Sequence, residues 1–532
     1  MSTIPEKIII EASRKKNLNE ASFEAIRRAH AAGGTEGLTS NIALIAAYRK
    51  LLAAEKIKLH PALARIIVKR KVRTLSGIAA ITVMTPNGAC PGACVFCPTE
   101  RGMPKSYLSN EPAVMRAIAN EFDPYRQVAS RLAALSAQGH ATDKIEIIVI
   151  GGTWSSIPHS FQERFIVRLY EALNGQNPAN KKTGAPLASL QEYNRRHAAH
   201  KLVGLTLETR PDWVNEEEVK RMRLYGCTRV ELGVQSVYDD VLDISQRGHH
   251  IDAVAHATAL LKNAGFKINY HMMPNLPGST PAKDVAMFKK LFTDARFQPD
   301  MLKIYPCMVV KNTKLYRMWQ QGAYRPYTDR QLVSLIIKAK QYVPEYCRIV
   351  RVIRDIPAPS IAAGSTASNL RQVIHRNMKE KGIPCRCIRC REIKDAVAIA
   401  RDVKLKRIDY DASGGREIFL SYEDVKNDKL IALLRLRIPP PAWKPSFPAL
   451  KSAAIVREVH TYGEVVPLLK QKNISRGKQH KGLGKKLLAE AEKIAKKEFG
   501  VKKITVIAGA GVRGYYGKLG YILKDTYMVK SL

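Results

Sequence analysis

The stretch Thr85-Pro-Asn-Gly-Ala-Cys-Pro-Gly-Ala-Cys-Val-Phe-Cys-Pro98 sets Cys90, Cys94 and Cys97 in a C-x3-C-x2-C spacing. It follows an apolar, β-branched run, residues 78–84, that reads as a strand. Three thiolates on one short loop can each take one iron of a 4Fe–4S cube and leave the fourth iron without a protein ligand. A chelating molecule can bind at that open iron, which a fully ligated electron-transfer cluster does not allow. A structural zinc site is the competing reading, but such sites use four ligands, commonly as two close pairs. Three cysteines on one loop behind a strand, with Gly and Pro between them, fit a cluster loop better.

Outward from this loop, the 532 residues are too many for one core, and three or four structural units are expected. With 45% hydrophobic and 25% charged residues the composition is that of a folded protein. The net charge of +40 attracts polyanions and points to nucleic acid, although a general bias toward Lys and Arg gives the same sum. The nine cysteines fall largely into two tight clusters, which suits metal ligation in a reducing compartment better than a disulfide framework. There is no run of eighteen apolar residues and no signal-like start. A cytoplasmic location without membrane partners is expected.

Residues 1–75 read as helical and strongly basic, with Arg27, Arg28, Lys69, Arg70, Lys71 and Arg73 as candidate RNA contacts. A solvated charged face is the bland reading of any one such pair. From 76 to 359, β-branched runs at 78–84, 144–151, 201–209, 229–235, 267–273 and 301–308 alternate with amphipathic stretches. This is the pattern of βαβ units around a parallel sheet, an α/β fold with a partial (β/α) barrel. Chemistry in such barrels gathers at the C-terminal strand ends. There the chain places the cysteine loop, then Gly151-Gly152-Thr153, Glu208 and Gln235.

Residues 360–412 are expected to form a basic linker holding zinc through Cys385, Cys387 and Cys390, with His375 near enough in sequence to be a fourth ligand. A second iron–sulfur cluster is the alternative there. The last unit, 413–532, opens with strands at 416–422, 429–437 and 453–459. Gln479-His-Lys-Gly482-Leu483-Gly484-Lys485 then leads into a helix, and a glycine turn at a helix start suits a pyrophosphate. A strand at 503–508 and the Gly511–Tyr521 segment, with Tyr515 and Tyr516, follow.

The cysteine loop and glycine segment resemble the radical S-adenosylmethionine (SAM) superfamily. The Q-x-x-G-x-G turn, helix, strand and tyrosine segment resemble the acetyl-CoA loop and core of GNAT-type acetyltransferases. The two in one chain resemble the family of Elongator catalytic subunits, in the single-chain form of archaea and some bacteria. That resemblance implies a 4Fe–4S cluster on Cys90, Cys94 and Cys97, with SAM among Gly151, Gly152, Thr153, Glu208 and Gln235. It implies acetyl-CoA near Lys144, Glu458, Val459, His460, Thr461, Gln479, Gly482, Leu483, Gly484, Lys485 and Tyr516. A strand-start surface lysine is the bland alternative for Lys144. Tyr515 and Tyr516 are the candidate catalytic groups beside the thioester, where a phenol can protonate a departing sulfur. The implied substrate is tRNA at its anticodon stem-loop, with a carboxymethyl group placed on carbon 5 of the wobble uridine. A protein lysine acetyltransferase with a structural iron–sulfur module is the alternative, and the positive charge disfavours basic tails as its substrate. The sequence leaves the oligomeric state open between monomer and homodimer.

Overall fold

The computed structural model describes residues 2–31, 38–68, 77–86, 88, 90–176, 185–393, 402–463 and 482–532. Of the sequence candidates, Lys69, Arg70, Lys71, Arg73 and Gln479 lie outside these residues. At the N-terminus, helices Ile4–Ser13, Glu20–Ala31, Asn41–Ala53 and Pro61–Ile67 bury their own core around Ile8, Phe23, Leu44 and Tyr48. Arg27 is turned inward, donating to Glu24 at 2.6 Å and to the Thr39 carbonyl at 2.7 Å, whereas Arg28 is exposed.

The central unit is a parallel sheet of β1 (Ala79–Met84), β2 (Lys144–Ile150), β3 (Lys201–Thr209), β4 (Arg229–Gln235), β5 (Lys267–Met272) and β6 (Met301–Ile304). Strand order follows chain order, as βαβ crossovers require. Two short strands, β7 (Val309–Val310) and β9 (Ile361–Ala363), pair with each other, and β8 (Arg348–Val352) closes the sheet beside β6. The expected strand at 301–308 is thus shorter, and β8 is one the sequence reading lacked. Period-two alternation divides each strand's residues. Ile145, Leu205, Val230 and Ile268 face the helices, while Glu208, Glu231, His271 and Lys303 face inward.

The second sheet comprises β10 (Val403–Ala412), β11 (Gly415–Asp424), β12 (Lys429–Ile438), β13 (Ala454–Thr461), β14 (Lys503–Val506), β15 (Ile522–Lys524) and β16 (Tyr527–Ser531), in the order β10-β11-β12-β13-β14-β16-β15. Its first strand lies inside the stretch expected to be a linker, so this unit begins at Val403 rather than at 413. Residues 360–393 of that stretch are also no linker: Leu370, Ile374, Cys387 and Ile388 belong to the barrel's own core. The pattern Lys404–Asp411, with charge at most positions, conceals an edge strand whose outer side is exposed.

The two faces of this sheet serve different neighbours. Ile418, Leu420, Leu434, Leu436 and Val456 pack on the helix Leu483–Lys497. Phe419, Leu433 and Ile455 join the barrel's core from the other face. Arg435, Arg437 and Arg457 are also fully buried on that side. Asp300, at the start of β6, accepts from Arg457 at 3.0 Å, and Glu417 accepts from Arg457 and Arg437 at 2.9 Å each. Arg437 also donates to Asn263 at 2.8 Å, while Lys262 stands 3.7 Å from Asp300 and 3.8 Å from Glu417. Burial alone would raise the Asp300 carboxyl, but Arg457, Lys262 and Arg435 hold it well below the usual range. The barrel answers with Arg223, which donates to the carbonyls of Ala508 and Thr526 at 2.8 and 2.7 Å.

A bulge in β13 resets the phase of the strand beyond it. Arg435 pairs with Glu458 and Leu436 with Val456, so Arg457 is the extra residue. Past this point, Glu458 and His460 turn to the barrel side while Val459 and Thr461 turn to the helix side.

Replacing Arg457 by Ala strands Asp300 and Glu417 with fewer cations. The expected cost is about 3–5 kcal/mol, seen as loss of the cooperative transition linking both units in chemical unfolding followed by far-UV circular dichroism.

Candidate functional site: one lumen between two chemistries

The inward faces of β1–β6 enclose a cavity of about 680 Å³. (β/α) barrels are ordinarily packed solid inside by branched apolar side chains. Here Arg229, Glu231, Glu208, His271 and Lys303 line the space instead, so it stays open and polar.

Its upper wall is the cysteine loop. Cys90, Cys94 and Cys97 all border the cavity. At Gly92, a Cβ would stand 3.6 Å from both Cys90 Sγ and Cys94 Sγ and 2.5 Å from Arg210 Nη1, so a side chain would fill the space those sulfurs share. Cys97 and two guanidiniums, Arg247 and Arg210, lower the Cys94 thiol's pKa against the opposing effect of burial. Arg247 itself is fixed by Gly233, whose carbonyl it reaches at 2.6 Å, and it donates to Cys94 Sγ at 3.4 Å. Three thiols on one loop, with the pKa of Cys94 depressed, fit a cluster with one open iron.

Around it the structure brings together four of the five residues expected to surround SAM. Gly152, Thr153, Glu208 and Gln235 line the cavity, with Thr153 Oγ1 3.6 Å from Cys90 Sγ. Gln235 holds a left-handed backbone at φ +71, and its Oε1 is buried without a partner among the described residues. Strain plus an orphaned acceptor is the pattern of a residue kept for a ligand. Gly151 packs backwards: at φ +132, a Cβ there would lie 2.1 Å from Thr85 Oγ1, so its role is to let β1 and β2 end side by side.

Glu231 and Lys303 were not singled out from the sequence. Each interrupts an otherwise apolar strand, and that charge within a buried run is the signal that reading strand ends alone passes over. His271 Nε2 meets Glu231 Oε2 at 2.7 Å, and Lys303 pairs with Glu231 and, at 3.2 Å, with Glu208. Tyr107 donates to Glu208 at 3.2 Å. Burial would raise Glu231, but Lys303 and His271 hold it well below the usual carboxylate range.

The opposite, strand-start end of the lumen faces the second sheet. Arg229 pairs with Glu146 at 2.7 Å, and Lys267 with Glu458 at 3.2 Å. Lys144 opens β2 on the inward face, two residues before Glu146. His460 lies within electrostatic reach of Glu146 and Lys267, and burial lowers its pKa to about 4.

On the helix side of the second sheet, β13 and β14 pair only over Ala454–Val456 and then part, so that one edge of β13 from Glu458 to Thr461 is unpaired among the described residues. The start of the helix Leu483–Lys497 enters this opening. Gly482 takes φ +94, and a Cβ at Gly484 would lie 3.3 Å from Tyr515 Oη and 3.8 Å from both Thr461 Oγ1 and Val459 Cγ1. Lys485 is exposed at the helix start and Leu483 packs into the core behind it. The two tyrosines divide. Tyr515 is 40% exposed with its hydroxyl at the opening, whereas Tyr516 is 7% exposed and packed against Tyr521. Glu458 has its side chain committed to Arg435 and Lys267, so only its backbone faces the opening.

Away from this axis, Cys387 Sγ lies 3.5 Å from Cys385 Sγ and 3.6 Å from Cys390 Sγ. Those spacings approach the roughly 3.8 Å edge of a tetrahedron of sulfurs about 2.3 Å from zinc. His375 Nε2 is 3.7 Å from Cys390 and 3.4 Å from the Lys340 ammonium. Among the described residues no helix is long and apolar enough to cross a membrane.

Comparison with known proteins places this geometry. Residues 84–291 match the radical SAM superfamily and 299–380 the radical SAM C-terminal domain. The tRNA uridine(34) acetyltransferase of Methanocaldococcus jannaschii is 43% identical over all of this chain and 98% of its own length. Elongator complex protein 3 of Saccharomyces cerevisiae is 42% identical, covering 94% of this chain and 93% of the yeast protein. The solved structure of Methanocaldococcus infernus Elp3 lacking its N-terminus superposes with TM-score 0.74 at 41% identity, over 86% of this chain and 100% of that one. With relatives matched from end to end and the radical SAM half-barrel joined to its sheet domain, the chain belongs to the Elongator catalytic-subunit family, an enzyme family of radical SAM type.

Proposed function

We propose that this protein places a carboxymethyl group on carbon 5 of the wobble uridine of tRNA, drawing the two carbons from acetyl-CoA. The observation that carries the reading is a cavity walled by Cys90, Cys94 and Cys97 in a chain that also sets the glycine turn Gly482–Gly484 beside the parted edge of β13. When bound at Cys90, Cys94 and Cys97, the 4Fe–4S cluster with SAM supplies a carbon-centred radical able to take hydrogen from an unactivated methyl.

The chain's own residues do the rest. Thr153, Glu208 and Gln235 offer hydrogen-bonding groups around the SAM position, and the enclosing strands exclude water. The backbone of Glu458–Thr461 and the N-terminal N–H groups at Gly482–Lys485 suit the pantetheine arm and pyrophosphate. By family resemblance Gln479, outside the described residues, belongs to the same acetyl-CoA motif. The acetyl end then lies toward Lys144 and His460, at the strand-start mouth of the lumen. Tyr515, with its hydroxyl at the opening, is the better placed of the two tyrosines to hydrogen-bond the thioester sulfur. The buried Tyr516 supports it through an edge contact at 5.2 Å between ring centroids. The excess of Lys and Arg, Arg28 among them, serves the RNA backbone. Cys385, Cys387 and Cys390 with His375 hold a structural zinc in this reading.

The test is anaerobic incubation with SAM, acetyl-CoA, a reductant and tRNA, followed by nucleoside mass spectrometry. Wild-type protein yields 5-carboxymethyluridine, and Cys94→Ala yields neither it nor deoxyadenosine while binding tRNA within about twofold of wild type in filter binding, as a phosphate-dominated interaction requires. Retained modification by that variant rules the radical route out. Tyr515→Phe lowers product formation about a hundredfold with an unchanged melting temperature. By contrast Tyr516→Ala lowers stability by about 3–5 kcal/mol, read by calorimetry. Elemental analysis finds one zinc per chain, absent in Cys387→Ser together with a lowered melting temperature.

A further inference from the structure

The lumen contains a carboxylate–imidazole pair that neither the cluster nor SAM accounts for. Glu231 is 1% exposed and receives His271 Nε2 at 2.7 Å. Its other contacts are cationic, from Lys303 and, at 3.7 Å, Arg229. Glu208 is engaged likewise by Lys303 and Tyr107. Both carboxylates are therefore spent on cations and donors. The His271 ring is different. With Nε2–H donated to Glu231, Nδ1 is an acceptor with no partner among the described residues, on a residue that lines the cavity. One rung below, on the same inward face of β5, Asn269 is fully buried with both amide atoms unpartnered among the described residues. Asn269 does not line the cavity, so of the two it is the His271 ring that faces the space a substrate could enter.

We infer that His271, oriented by Glu231 and electrostatically braced by Lys303, is the base that removes the C5 proton of the target uracil. This rests on the reaction proposed above. Addition of a carbon radical to C5 uses one electron of the C5=C6 double bond for the new carbon–carbon bond and leaves the other at C6. Restoring the ring requires loss of that electron and of the C5 proton. The electron passes to a one-electron acceptor of the iron–sulfur class. The C5–H pair becomes the new C5=C6 bond, and the proton goes to His271 Nδ1, giving an imidazolium whose Nε2–H stays on Glu231. Lys303 keeps Glu231 ionised throughout, so the carboxylate can stabilise that cation without taking the proton itself.

Two variants and one measurement on cluster-free protein test this. His271→Gln and His271→Ala are compared with wild type in the anaerobic assay. Expected is continued deoxyadenosine formation with carboxymethyluridine reduced at least about a hundredfold. Added imidazole restores product to His271→Ala and not to His271→Gln. In selectively ¹⁵N-histidine-labelled, cluster-free protein, the resonance lost in His271→Gln is that of the Nε2–H tautomer. The assignment is overturned if both variants modify tRNA within threefold of wild type, if deoxyadenosine falls in the same proportion as product, or if the resonance is that of the Nδ1–H tautomer. Wild type run in parallel separates the two readings. A wild type that makes no carboxymethyluridine overturns the proposed function and the base with it, whereas an active wild type beside equally active variants overturns only the base.

Discussion

Everything in this molecule hangs on a buried knot of charge where two sheets meet. Asp300 and Glu417, both essentially without exposure, share Arg457, Arg437, Arg435 and Lys262 across the junction. A single pair buried this way contributes little net stability, because desolvating two ions costs about what their attraction returns. A network with several hydrogen bonds per guanidinium is different in kind, since it fixes orientation. Asp300 stands at the head of β6 and Arg457 in the middle of β13, so the knot locks the strand-start mouth of the barrel to the parted edge of the second sheet. The parted edge of β13 is thereby held against the barrel that carries the cysteine loop.

The polar lumen follows from the same logic. A barrel interior filled with branched side chains would separate the two chemistries by a wall. Replacing that filling with Arg229, Glu231, His271 and Lys303 leaves an open cavity beside the cysteine loop, and mutual pairing makes the charges tolerable. The stability lost from an apolar interior is recovered outside the sheet, where Ile145, Leu205, Val230 and Ile268 bury against the surrounding helices.

Much of this was legible in the sequence. The central strands stood out because β-branched runs alternate with amphipathic stretches, and β3 and β4 fall at the expected residues. The cysteine loop and glycine turn declared themselves by spacing. Less visible was β10, whose alternate charges look like solvated linker until β11 is beside it. Nor did the sequence distinguish Tyr515 from Tyr516, since which ring is buried depends on the later hairpin that supplies Tyr521. Glu231 and Lys303 escaped for a related reason. A charge inside a strand has meaning only once its face is known, and the face is set by the neighbouring strands.

The bulge at Arg457 has a consequence for how such a strand can vary in length. Because one surplus residue sits there, everything downstream is out of phase with what precedes it: Val459 and Thr461 look toward Gly484, and His460 toward the barrel. Deleting Arg457 would therefore straighten the strand without moving either set, because Glu458, Val459, His460 and Thr461 would keep their partners in β12. The bulge thus inserts one more buried guanidinium into the junction while leaving the free edge of β13 to the alternation that its β12 partners set.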